Sequence, residues 1–131
     1  MSIAAYRTVM RESESPRQIE KRLFSKMIGA LEAHASEFDD MEGGRPADRL
    51  ELLARGLRPA LEENLRFWGA LKHDLLSEGN QLPAETRSGL ISLAFWVERK
   101  TARILQGEPG VREIVSVNRN IMNGLSSRAG A

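Results

Sequence analysis

Leu57, Leu61, Asn64, Trp68, Leu71 and Leu75 recur four and three residues apart, and no feature of the chain constrains its fold more. That spacing keeps one row of side chains on one face of a helix. A strand would need strict alternation, which is absent here. The row resembles a coiled-coil seam, with the Asn64 amide where the pattern demands an apolar group.

The remaining segments have the same character. Ile3, Tyr6 and Met10 mark one stripe of an N-terminal arm over 1–12, marginal as an isolated helix. Ser13-Glu14-Ser15-Pro16 breaks it; Ser15, Pro16 and Gln18 then form a helix start signal. A helix over 16–40 should bury Ile19, Leu23, Met27, Ala30, Leu31 and Phe38. Glu42-Gly43-Gly44-Arg45-Pro46 is the clearest interruption, after which a helix over 47–77 carries the seam. Gly56 and Pro59 predict a kink in it.

Pro83 opens a helix over 83–106 that is apolar on most sides from Leu90 to Val97. Gly107-Glu108-Pro109-Gly110 is the last turn, and Val111, Ile114, Asn118, Ile121, Met122 and Leu125 line a helix over 111–125. The expectation is an all-α chain, one domain over 1–131. Four main helices form a mostly antiparallel bundle, because short loops favour antiparallel neighbours, with the short helical arm added.

Charge and composition narrow the function. Nineteen Lys and Arg face 18 Asp and Glu, a net charge of +1, which disfavours nucleic acid as a partner. No cysteine is present, so disulfides, thiolate zinc sites and thiol catalysis are excluded. The start lacks a signal-peptide pattern, and no apolar run approaches the ~20 residues that span a bilayer. A cytoplasmic protein without membrane insertion is expected.

Residues suited to chemistry are few. His34 and His73 are the only histidines, and His34 with Glu37 supplies two ligands where zinc needs three or four. The adjacent carboxylates Asp39-Asp40 and Glu62-Glu63 diverge by about 100° on a helix and read as solvated charge. Gly43-Gly44 lack the strand and lysine of a phosphate loop. No enzyme, metal or cofactor is expected. Arg17, Lys21, Arg22 and Lys26 form a basic patch that reads first as a solvated face and otherwise as open to an acidic protein or to RNA phosphates, without aromatic interleaving. Asn64 and Asn118 sit in apolar rows, where a buried amide needs a partner. Each either joins an internal network or anchors a bound partner.

The motifs together resemble the FlaF family of flagellar biosynthesis regulators. The resemblance begins at Tyr6 and continues through Ser15-Pro16-Arg17-Gln18-Ile19-Glu20 and Leu23-Phe24. Ala60-Leu61, Asn64, Phe67-Trp68, Asn80, Leu82-Pro83 and Ile91-Ser92-Leu93 follow. It closes with Val117-Asn118-Arg119-Asn120-Ile121-Met122 and Gly124-Leu125. Phe67 stands where the family is expected to carry leucine, and Met41 to Pro46 looks variable in length.

The resemblance implies a non-enzymatic role in flagellar assembly: binding flagellin and supporting its export, alongside the translational regulator FlbT. An amphipathic terminal segment of flagellin would dock in an apolar groove, covered in the free protein by the Ile3-Tyr6-Met10 arm. The alternative is a post-transcriptional regulator of flagellin synthesis acting on mRNA directly or through FlbT. Tyr6, Met10, Arg17, Phe24, Asn118 and Met122 are the candidate partner contacts.

Overall fold

The computed structural model describes the backbone of residues 16–130 and the side chains of residues 22–124. The Ile3-Tyr6-Met10 arm lies outside the described residues. Five helices follow in order: α1 Pro16–Asp39, α2 Pro46–Leu52, α3 Arg58–Leu76, α4 Ala84–Ile104 and α5 Val111–Gly130. A single π turn, Leu53–Leu57, joins α2 to α3. The fold is all-α, a mostly antiparallel bundle of four long helices with the short α2 at one end.

The bounds depart from expectation at their ends. The 47–77 segment is two helices and a π turn because Gly56 takes φ of +107°, which breaks the hydrogen-bond ladder beside Arg55. It starts at Pro46, whose missing N–H suits the first turn. The 83–106 helix begins at Ala84 and yields at Leu105 to a turn through Gly107, and the last helix runs on to Gly130.

The long helices pack in the cyclic order α1, α5, α4, α3. The α1–α5 pair is antiparallel: Arg112 meets Asp40 and Ser36, and one face further along Arg119 meets Glu32. In the α3–α4 hairpin Lys72 pairs with Glu98 and lies 4.5 Å from the centre of the Phe95 ring. Its loop is shaped by Asn80, which donates to Asp74 and accepts from the Leu82 N–H.

One core joins these helices. Leu31 and Phe38 from α1, Leu61 and Trp68 from α3, Val97 and Ile104 from α4, and Val111 and Ile114 from α5 are fully buried. Burial of such side chains is the main stabilising term, about 1.5–3 kcal/mol each. The seam that opened the sequence reading is inside: Leu57, Leu61, Asn64, Trp68 and Leu75 are buried and Leu71 half-buried. In α1, Ala30 is exposed, contrary to expectation, whereas Phe24, Ile28 and Ala35 are buried.

The end of the bundle around α2 is tied by polar contacts. Arg49 donates to three carbonyls, of Phe38 at 2.9 Å, Gly44 at 3.2 Å and Gly107 at 3.4 Å. These join the end of α1, the following loop and the α4–α5 turn. Gly107 has φ of +98°, and a Cβ there would lie 2.4 Å from the Pro46 carbonyl oxygen, so only glycine allows this approach.

Candidate functional site

Of the six candidate contact residues, Phe24, Asn118 and Met122 have described side chains, and these three do not share one surface. Tyr6 and Met10 lie outside the described residues, as does the side chain of Arg17, whose backbone belongs to the first turn of α1. Met122 is half-buried on α5, packed against the core. The structure places the other two inside the bundle. Phe24 is only 2% exposed, set edge-on against Phe67 with ring centres 4.6 Å apart. Asn118 is fully buried. Neither offers a surface to a partner in this arrangement, because helix packing has already used it. The aromatic at 67, where leucine was expected, is the ring that Phe24 meets.

Asn118 is the centre of an amide network. Its Oδ1 accepts the Trp68 indole N–H at 2.9 Å, and its Nδ2 donates to Asn64 Oδ1 at 2.8 Å. The network runs from α5 across the bundle to α3, two helices that are not neighbours in the cyclic order. The Asn64 Nδ2 is the one buried side-chain polar atom, among the described residues, with no hydrogen-bond partner.

The carboxylates Asp39 and Asp40, expected as plain solvated charge, have structural work. Asp39 accepts the N–H groups of Gly110, Val111 and Arg112 at 2.9–3.0 Å, capping α5 from a distant part of the chain. Asp40 pairs with Arg112, whose hydrogen bond holds the Asp40 carboxyl below its ordinary range and raises the Arg112 guanidinium. A sequence signal existed for the cap. Gly107-Glu108-Pro109-Gly110 offers no Ser, Thr, Asp or Asn side chain to the start of α5, which leaves its first N–H groups open to a cap from elsewhere.

Groups suited to catalysis stay apart. His34 is half-buried beside Gly56, and His73 is exposed on α3. Among the described residues, no three His, Cys, Asp or Glu side chains gather where a metal could be held. A cleft of about 420 Å³ between α1 and α5 is lined by Glu32, Ser36, Arg112, Arg119, Asn120 and Asn123, among others. Its two guanidinium groups are already paired, Arg112 with Asp40 and Arg119 with Glu32. In the basic patch, Arg22 and Lys26 are exposed.

Apolar groups reach the surface at Leu50 on α2 and on two seams between the long helices. Along α3–α4, Leu76 is 61% and Phe95 43% exposed. Leu93 and Trp96 on α4, and Val117 and Ile121 on α5, are all half-buried against the core. The α4–α5 row stops at the ion pair of Lys100 with Glu113, 3.1 Å long. No helix among the described residues is long and apolar enough to cross a membrane.

Comparison with known proteins agrees with the resemblance read from the motifs. The chain matches the family described as Flagellar protein FlaF over residues 2–125. No curated protein and no solved structure matches it. With a match running through every helix and the Asn64–Asn118–Trp68 network, the chain belongs to the FlaF family of flagellar proteins.

Proposed function

We propose that this flagellar protein is a flagellin-binding export chaperone acting in the cytoplasm. The observation that carries the reading is the half-buried apolar row of Leu93, Trp96, Val117 and Ile121 on a FlaF-family helical bundle. Such a row takes up an amphipathic helix as an added member of the bundle. Flagellin before assembly has terminal segments of that kind, as the family resemblance implies, and shielding them would keep the monomer competent for export. Release at the export machinery favours a modest affinity, and interface area alone does not fix it.

The reading assigns no catalytic step to any residue. Regulation of flagellin synthesis through mRNA or FlbT is the second reading, and exposed Arg22 and Lys26 are the residues in its favour. Calorimetric titration with full-length monomeric flagellin, and with forms lacking each terminal segment, separates the two. Binding at about micromolar Kd or tighter, lost with one terminus, supports the chaperone. No binding to any form, with RNA or FlbT bound instead, overturns it.

A further inference from the structure

We infer that the α4–α5 row is the docking site for one amphipathic helical segment with an apolar stripe and an acidic flank. This inference rests on the flagellin-binding reading and deepens it. Gly89, Leu93, Trp96 and Lys100 follow one another four, three and four apart on α4. Glu113, Val117, Ile121 and Gly124 do the same on α5, with steps of four, four and three. Each set is therefore one stripe of its helix.

The Lys100–Glu113 ion pair sets the register between these stripes. In an antiparallel pair, moving back along α4 means moving forward along α5. Trp96 then stands beside Val117, Leu93 beside Ile121, and Gly89 beside Gly124. The two helices come close at the ion-pair end, where Gly110 lies against the Lys100 side chain. Their approach is far less extensive than that of α1 and α5. At the other end Gly89 and Gly124 are exposed, and a Cβ on either would meet nothing within 4 Å. Among the described residues the result is an apolar trough, bounded by a salt bridge at one end and open at the other. From Gly89 to Trp96 it is about 10 Å long at 1.5 Å per residue, room for two turns of helix.

Charge identifies the flank of the occupant. Arg99 and Arg103 are exposed on α4, three and seven residues beyond Trp96, beside the closed end of the trough. Among the described residues neither forms an ion pair, in contrast to Lys72, Lys100, Arg112 and Arg119. A helix that buries its stripe on Leu93, Trp96, Val117 and Ile121 and runs on past the salt bridge, with carboxylates on that side, would pair with both arginines.

Purified monomeric flagellin is the probe, titrated into the full chain and into Gly89→Glu, Gly124→Glu and a double Arg99→Glu, Arg103→Glu variant. Both glycine changes put a better helix former where there is open space, so circular dichroism and the melting temperature should hold or rise. Each also places a carboxylate in the apolar trough and should weaken flagellin binding at least about tenfold. The arginine variant should bind several-fold more weakly and lose most of the salt dependence seen with the unaltered chain. Unaltered binding by all variants would overturn the docking site and leave the flagellin-binding reading standing. Absence of binding by the unaltered chain would overturn both. A dimer of this chain that the glycine variants dissociate would also overturn the inference, since the trough would then be occupied by a second copy.

Discussion

Asp39 caps a helix that begins 72 residues later: its Oδ1 accepts the Val111 N–H at 3.0 Å. The same carboxylate takes the neighbouring N–H groups of Gly110 and Arg112, so three amides at the start of α5 have their partner on α1. A negative charge at a helix start is also favoured by the helix dipole. The cap binds the two most extensively packed helices at one end.

Replacing Asp39 with Ala should therefore cost about 1–2 kcal/mol of stability, the scale of a lost N-cap. Urea unfolding followed by circular dichroism measures it. Asp39→Asn keeps acceptor capacity on one atom and should lose less. Equal stability of Asp39→Ala and the unaltered chain would show that solvent serves those amides as well.

The Asp40–Arg112 pair makes a prediction about pH. The folded-state pKa of Asp40 is lowered, first by the Arg112 hydrogen bond. Its contribution is therefore present above the unfolded carboxylate value, about 3.9, and is lost as pH falls through the lower folded value. NMR titration of Asp40 should show that lowered value, and Arg112→Ala should return it toward the ordinary range. High salt should narrow the difference, because the pair is solvent-exposed.

The amide network predicts an order of mutational costs. Asn118→Ala strands the Trp68 indole N–H and the Asn64 carbonyl oxygen, and should cost about 3 kcal/mol. Asn64→Ala strands only the Asn118 Nδ2 and removes an amide donor that has no partner, so it should cost less. Denaturant unfolding of both variants gives the comparison. A larger loss at Asn64 would contradict the network as drawn.

Two glycines should respond with opposite signs. Gly107→Ala forces a Cβ to 2.4 Å from the Pro46 carbonyl oxygen at φ of +98°, and should destabilise by about 2 kcal/mol or more. Gly29→Ala adds a methyl in open space on exposed α1 and should stabilise by about 0.5–1 kcal/mol. Thermal melts of the two variants test both.

The elements were legible in the sequence wherever periodicity and breakers agreed. Leu57, Leu61, Trp68 and Leu75 point inward because a four-and-three row admits only one buried face. Gly56 was readable as an interruption because a glycine with a proline three residues on, at Pro59, weakens a helix locally. In α1 the pattern misled at Ala30, since a small apolar residue carries too little burial energy to orient a helix, whereas Phe24 and Phe38 carry much.

The candidate site was less legible. Phe24 read as a partner contact and Asn118 as a network member or a partner anchor, since side-chain type does not reveal which helix stands opposite. Asp39 looked like surface charge for the same reason: its partners are amides of a helix far along the chain. The α4–α5 trough likewise exists only because Gly89, Leu93 and Trp96 come to lie beside Gly124, Ile121 and Val117, a register set by Lys100 and Glu113. Local spacing and backbone restriction are properties of neighbouring residues, so the sequence by itself determined the helices, their breaks and most of the inward faces. Pairing between distant segments depends on how those faces pack, so only the tertiary structure decided the cap, the amide network and the trough.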